Sequence, residues 1–566
     1  MASISRILPG DSPALRKQRG AFFTPFEIAD FTAGWAVAGR PDAKVLDPTS
    51  GEGVFLLAAA QHLARAGAAP EDMRDQLYGV DIHADSLQET QGLLREVDSE
   101  ATLIDNDFFS LPTPAQLGSP VPWVDAVIGN PPYVRYQEHR GEARRRSLAA
   151  AFAQKVRLSG LASSWAALLV HACAFLKPEG RVAMVLPAEL LTVGYAEPIR
   201  RWLGERFAAV HLVLFEELQF ADAEEQVVVL VARGSGGCSA LALHQLRDAS
   251  ELATQHLFDS EPVALGRPED KWTDLLLPMQ RRSLFRRITD RSFTRLDSYG
   301  TPELGTVTGS NAFFTLNEAT RAEYGLGRNH LQRIVPPGAR HVPGTRFTEG
   351  HWQQLRADGQ RVWMLHPAAD TRRRDGLARY LNEGEERLVH EAYKCTIREP
   401  WWRPPAVRSP DLMFTYMSHV TPRLVANETD ATIVNSLHGI TLGPDAPDIT
   451  RDALPIVALN SVTMLGAELF GRSYGGGILK MEPREAASLP VPSPDALVEA
   501  WTRLEPHWSR LDELVRHGCW ETALAHIDRA LLIETLELSA AEVASMRAAA
   551  TRLRARRTRT AAADAT

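Results

Sequence analysis

At 566 residues the chain has room for roughly two to four domains, and a hydrophobic share of 45% is enough to fill cores of full size. The net charge of −8 excludes the strongly basic composition that announces a nucleic-acid binder by total charge alone, so any such surface must be local. Four scattered cysteines, Cys173, Cys238, Cys395 and Cys519, make neither a disulfide framework nor a metal-ligand spacing; this fits a reducing, cytoplasmic location and leaves no metal site expected.

The N-terminal arm, residues 1–17, is polar and carries Arg6, Arg16 and Lys17 without an apolar core, which excludes a signal peptide. The longest apolar stretch, Trp165 to Leu176, is too short to span a bilayer, so no membrane partner is expected. Thr24-Pro25 stands just before an amphipathic stretch, and threonine as N-cap with proline at N1 predicts a helix start. Lys44 to Phe55 reads as a strand, a glycine turn through Gly51 and Gly53, and a helix that runs to Ala66 and stops at Gly67. The spacing is not G-x-G-x-x-G, and Asp47 stands where a diphosphate would be repelled. A cofactor without phosphates and with a cationic amino-acid end, such as S-adenosylmethionine, fits better.

Two further strands follow. Leu77 to Ile82 ends in Asp81, the place from which a carboxylate reaches ribose hydroxyls, and Ala101 to Phe108 again ends in an acid followed by an aromatic. Asp107 can accept from an adenine amino group, with Ile82 and Phe108 on the two faces of its ring. A fourth run, Val124-Asp125-Ala126-Val127-Ile128-Gly129, leads directly into Asn130-Pro131-Pro132-Tyr133 and predicts a buried strand that presents a rigid loop. Two prolines fix φ and remove two backbone donors, so the loop carbonyls are acceptors in set directions. If the Asn130 side chain and the Pro131 carbonyl each accept one hydrogen of an exocyclic amino group, its nitrogen rehybridises toward tetrahedral and exposes a lone pair. Placement and acceptor dipoles are then the whole catalytic contribution. The same four residues suit a plain turn; three carboxylates at successive strand ends weigh for the chemical reading.

Thr24-Pro25, Asp47-Pro48-x-x-Gly51-x-Gly53-x-Phe55, Gly79-x-Asp81, Asp107-Phe108 and Asn130-Pro131-Pro132-Tyr133, in that order, resemble the motifs of the gamma-class amino-methyltransferases, the TaqI-type DNA adenine N6-methylases of restriction-modification systems. The resemblance implies an α/β chain: a Rossmann-like, seven-stranded S-adenosylmethionine-dependent methyltransferase domain over residues 18–233, a mixed α+β target-recognition domain and C-terminal helices. It implies cofactor contacts at Thr24, Pro25, Asp47, Pro48, Thr49, Gly51, Gly53, Asp81, Ile82, Asp107 and Phe108. Catalysis falls to Asn130, Pro131, Pro132 and Tyr133, with Phe220 on the opposite face of an adenine flipped out of duplex DNA, because the amino group is paired and stacked inside the helix. Asn at the first loop position points to adenine rather than the N4 of cytosine. No cysteine follows a proline, so the nucleophile of a cytosine-C5 methylase is missing.

Gly234-Ser235-Gly236-Gly237 predicts a linker over 234–240, followed by a recognition region over 241–493. Candidate DNA contacts are Arg135, Arg144 and Arg145 beyond the catalytic loop, then Asn311, Arg398, Trp401, Arg472, Tyr474, Gly475, Gly476 and Lys480, since glycine turns beside basic, amide and aromatic residues suit phosphates and base edges. A helical segment is expected over 494–545 and a basic tail over 546–566, either a DNA-contacting arm or a solvated helix. About twenty residues before Thr24 leave no room for a nuclease domain, and neither a metal-dependent nuclease cluster nor a P-loop is recognisable, so a restriction endonuclease would be a separate partner. RNA adenine, protein glutamine and cytosine N4 stay open as substrates, as does a silent DNA-binding scaffold.

Overall fold

Runs dominated by valine, leucine and isoleucine become strands whose side chains are buried on both faces of a sheet. The computed structural model describes residues 24–134, 138–215, 227–253, 263–264, 272–368, 371–405, 408–474 and 477–563. The chain divides into two compact units, Met1–Trp272 and Thr273–Thr566.

In the first unit the strands are β1 (Val45–Asp47), β2 (Leu77–Asp81), β3 (Thr102–Asp105), β4 (Val124–Gly129), β5 (Leu176–Pro187), β6 (Ala209–Phe215), β7 (Val227–Arg233), β8 (Ala240–Leu246) and β9 (Val263–Ala264). The helices that matter for the site are α1 (Phe26–Val37), α2 (Val54–Ala66), α3 (Ala84–Arg95), α4 (Gly141–Ala153) and α5 (Ser164–Ala172). The sheet order is β3-β2-β1-β4-β5-β7-β6-β8-β9. Strands β3 to β5 pair in parallel, and β7 runs antiparallel between β5 and β6. This is the Rossmann-like methyltransferase architecture. All six residues of β4 are buried. Between β1 and β4 the strand order reverses, and a doubly wound sheet opens a crevice at that switch point, beyond the C-terminal strand ends.

The sheet is wider than the expected seven strands. The glycine stretch 234–237 turns the chain back along the sheet: β8 pairs in parallel with β6, and β9 pairs antiparallel with β8. The physical reason is the open edge that β6 would otherwise present, which the apolar run Ala240-Leu241-Ala242-Leu243 pairs with. The first unit therefore extends to Trp272 rather than ending at 233.

The second unit holds a five-stranded sheet in the order Pro302–Leu304, His438–Ile440, Leu412–Phe414, Leu424–Asn427 and Arg346–Phe347, and a three-stranded ribbon of Met417–Ser418, Ile478–Lys480 and Arg472–Tyr474. One hydrophobic core joins Leu412, Phe414, Leu424 and Ile440 of the sheet to Leu497, Leu511, Leu531 and Met546 of the C-terminal helices. The helices expected as a separate segment over 494–545 thus share the core of the second unit. The expected basic tail is a helix, Ala540–Ala563, that buries Val543, Met546, Ala549 and Ala550 in this core. Its Arg557 is 6% exposed and paired with Glu468 at 2.8 Å. One valine, one methionine and two alanines at helical spacing supply the apolar stripe that the arginine count conceals. Among the described residues no single helix is long and apolar enough to cross a membrane.

Candidate active site

The residues at the switch point crowd together. Asp47 ends β1, is fully buried, and its Oδ1 accepts from the Thr49 N–H at 3.1 Å, while Oδ2 is buried with no hydrogen-bond partner among the described residues. Gly129 ends β4 at φ 139°, and a Cβ there would lie 2.6 Å from Oδ1 of Asp47. Glycine is required at that position both for the backbone angle and for the carboxylate beside it. Loss of hydration pushes the Asp47 carboxyl up to about 7, the Thr49 N–H pulls it back, and the Asp81 charge adds to the rise. A buried carboxylate with a spare oxygen is made for a cation or a hydrogen-bond donor entering the crevice.

The glycine turn is held from the next strand. Asp81 accepts from the Gly51 N–H at 3.0 Å with one oxygen and from the His83 N–H at 2.9 Å with the other. Gly53, at φ 82°, begins α2 so close to Thr90 of α3 that a Cβ would lie 2.6 Å from its methyl. Pro48, Thr49 and Gly51 form the turn between β1 and α2. Ile82 is 63% exposed and offers an open apolar face, whereas Phe108 is 4% exposed and packs against His171 and Phe175. Phe108 is therefore a core side chain in this arrangement and not the open second face expected of it. Asp107 caps its own turn by accepting from the Phe109 N–H at 3.0 Å, and its other oxygen pairs with Arg146 of α4 at 3.2 Å.

The loop after β4 is built as a set of oriented acceptors. Asn130 donates its side-chain N–H to the Thr24 hydroxyl at 3.2 Å, and its Oδ1 accepts from the Tyr133 hydroxyl at 2.6 Å. Thr24 does not cap α1 as expected: Pro25 is the cap residue, and no side chain caps the helix. The threonine hydroxyl instead fixes which way the Asn130 amide faces. Tyr133 is 7% exposed, and its hydroxyl also lies 3.2 Å from the Val185 carbonyl, so the ring is held from below rather than left open as a platform. Phe220 and Arg135 lie outside the described residues.

Ser163 and Ser164, at the start of α5, were missed in the sequence. Ser164 donates to the Pro132 carbonyl and accepts from the Val134 N–H at 2.9 Å; Ser163 donates to the Val134 carbonyl at 2.9 Å. The Pro132 carbonyl is thereby taken, and the Pro131 carbonyl has no partner among the described residues. Two serines before an apolar helix signal an N-cap, and only the fold reveals that they hold the loop.

Several expected DNA contacts are engaged within the second unit. Asn311 donates to Asn435 at 2.9 Å and accepts from Thr308 at 2.6 Å. Arg398 is bound to the Thr308 and Trp401 carbonyls and lies over the Phe314 ring. Trp401 packs on Phe313, Arg472 is paired with the buried Glu485, and Lys480 with Glu482 at 2.7 Å. Tyr474 ends one ribbon strand; Gly475 and Gly476 lie outside the described residues. On the first unit, Arg145 is paired with Glu142, and Arg144 lies against Gly160.

Residues 8–234 match the N-6 DNA methylase family, and residues 269–532 match the C-terminal domain of the type II methyltransferase M.Eco57I. The chain is thus similar to the N-6 DNA methylases over its first part and to a type II methyltransferase over its second. It is 21% identical over 479 residues to type II methyltransferase M.AccI of Acinetobacter calcoaceticus, covering 83% of this chain and 84% of that protein. It is 24% identical over 484 residues to M.XamI of Xanthomonas campestris pv. amaranthicola, covering 84% and 85%. Among solved structures, the type IIL restriction-modification enzyme MmeI in complex with DNA shares the fold of this chain, with a TM-score of 0.56 at 12% identity over 96% of this chain and 80% of that one.

Proposed function

We propose that this adenine-specific DNA methyltransferase transfers a methyl group from S-adenosylmethionine to the N6 of an adenine flipped out of a specific site in duplex DNA, as the modification enzyme of a restriction-modification system. The observation that carries the reading is the pair of acceptors at the loop after β4, the Asn130 side-chain oxygen with the lone pair that the Tyr133 hydroxyl does not use and the Pro131 carbonyl. Asn130 is oriented by Thr24 and Tyr133, and among the described residues the Pro131 carbonyl has no partner. Two acceptors at one loop suit the two hydrogens of an exocyclic amine, and holding them drives the nitrogen toward the pyramidal form that has a lone pair to give.

The orphan Asp47 oxygen fits the ammonium of S-adenosylmethionine, Asp81 its ribose hydroxyls, and Ile82 a face of its adenine, with Asp107 able to accept from the amino group once Arg146 yields. The bound cofactor supplies an electrophilic methyl on a sulfonium. The protein's part is to place the amine in line with it, to keep both acceptors fixed, and to exclude water from the crevice. The relatives named above are type II methyltransferases, and MmeI is solved with DNA; both support duplex DNA as substrate.

Methyl transfer from labelled S-adenosylmethionine to genomic DNA, followed by digestion to nucleosides, tests the reading. N6-methyladenine at one recurrent sequence is expected, and Asn130→Ala should abolish it while cofactor binding persists. Label at cytosine N4, or label only in RNA or protein, refutes the adenine assignment or the DNA assignment respectively.

A further inference from the structure

The helix that follows the catalytic loop carries a concentration of positive charge. Between residues 138 and 161 six cations, Arg140, Arg144, Arg145, Arg146, Lys155 and Arg157, stand against two carboxylates, Glu138 and Glu142, in a chain of net charge −8. One face of α4 turns inward through Ser147 and Ala151, both buried. The opposite face presents Arg145, Ala149 and Phe152 at i, i+4, i+7 spacing, and Phe152 is 60% exposed. The Arg157 guanidinium lies 5.9 Å from the centre of the Phe152 ring. A Cβ on Gly160 would come within 2.9 Å of the Arg144 guanidinium, so the chain folds back along the helix and brings Leu161, 58% exposed, toward it.

A second observation concerns the backbone between helix and turn. The Val156 N–H donates to the Ala151 carbonyl at 3.1 Å and the Lys155 N–H to the Phe152 carbonyl at 2.8 Å. These bonds close a helix C-terminus on a residue in the left-handed region, where glycine is the ordinary choice. Here the residue is Lys155, at φ 63°. Its side chain is exposed, and no carboxylate pairs with it among the described residues. Glycine would fold here with less strain, as at five other non-glycine positions among the described residues, and here the side chain adds a charge to the ridge.

We propose that this ridge grips duplex DNA beside the extruded base, with Arg145, Lys155 and Arg157 on backbone phosphates and Phe152 against a base that the extrusion has unstacked. The inference rests on the methylase reading and adds to it the surface that meets the substrate. A polyanion that also offers flat faces matches both halves of the ridge: phosphates take the cations, and an exposed base takes an aromatic ring flanked by a guanidinium. Its place in the chain agrees, since α4 begins seven residues after Val134 and Arg146 of the same helix rests on Asp107 at 3.2 Å.

The test uses the full chain and a short mixed-sequence duplex, with binding followed by fluorescence anisotropy across a salt series. Lys155→Gly removes a charge and relieves the backbone, so it leaves the melting temperature unchanged or raised; Arg157→Gln removes a second charge. Each is expected to lower the slope of log Kd against log salt by about one, and the two together to weaken duplex binding by at least roughly ten-fold at physiological salt. Phe152→Ala is expected to weaken it roughly ten-fold with the slope unchanged. S-adenosylmethionine affinity stays constant in all three. If the double variant binds duplex with wild-type affinity and slope while the wild-type chain methylates DNA, the ridge is not the contact surface. A wild-type chain that methylates no DNA overturns the methylase reading instead.

Discussion

A carboxylate that is out of water and keeps one oxygen unpartnered titrates where its surroundings send it. Asp47 is raised to about 7 chiefly by its burial, so in the cofactor-free protein it is largely protonated at pH 6. The folded value lies above the model-peptide 3.8. The group's contribution to stability is therefore full below about pH 3.8 and is lost as pH rises toward 7. Ligand binding runs the other way: the cationic end of the cofactor needs the ionised form. Cofactor affinity should rise several-fold from pH 6 to pH 7, and Asp47→Asn should bind weakly with little pH dependence; isothermal titration at the two values decides it. Arg146 makes a second case. Its pairing with Asp107 is half exposed and is worth about 0.2–1 kcal/mol. Arg146→Ala should free that carboxylate and tighten cofactor binding by up to about five-fold, and an unchanged Kd would mean the pair does not compete.

At the scale of elements, the start of α5 matters as much as the loop it supports. Ser164→Ala removes the donor to the Pro132 carbonyl and leaves the Val134 N–H without its acceptor, a loss of about 1–3 kcal/mol. Single-turnover methyl transfer should slow by at least ten-fold at saturating cofactor while cofactor affinity is kept. The strands that carry Asp47, Asp81, Asp107 and Asn130 were legible because each is a short apolar run ending in a polar residue, a local signal. The eighth and ninth strands were not: four glycines and serines before them look like a linker, and only the unpaired edge of β6 turns them into a turn. The expected DNA contacts fared worse for the same reason. Asn311 meets Asn435 and Arg398 meets Thr308 across 124 and 90 residues of sequence, and no local pattern says that a polar side chain already has a partner. Phe108 looked like a ligand face because an acid precedes it; its neighbours His171 and Phe175 come from elements some sixty residues on.

Taken whole, the second unit is closed by its last helix. Arg557 is paired with Glu468, which is 6% exposed at its side chain, and donates to the carbonyls of Gly477 and His419, both beside the ribbon of Met417–Ser418, Ile478–Lys480 and Arg472–Tyr474. Burial holds the Glu468 carboxyl above its usual range despite the arginine. Removing one partner of such a pair costs about 3–5 kcal/mol because the other is left buried and alone. Arg557→Ala should lower the urea midpoint of the second unit accordingly, and Glu468→Gln added to it should recover part of the loss. In the first unit, the lone oxygen of Asp47 has a calorimetric consequence. Near neutrality, taking up a cationic ligand must expel about half a proton per chain from a group that titrates at about 7. The apparent heat of cofactor binding will then depend on the ionisation enthalpy of the buffer, and the slope of one against the other counts the protons released.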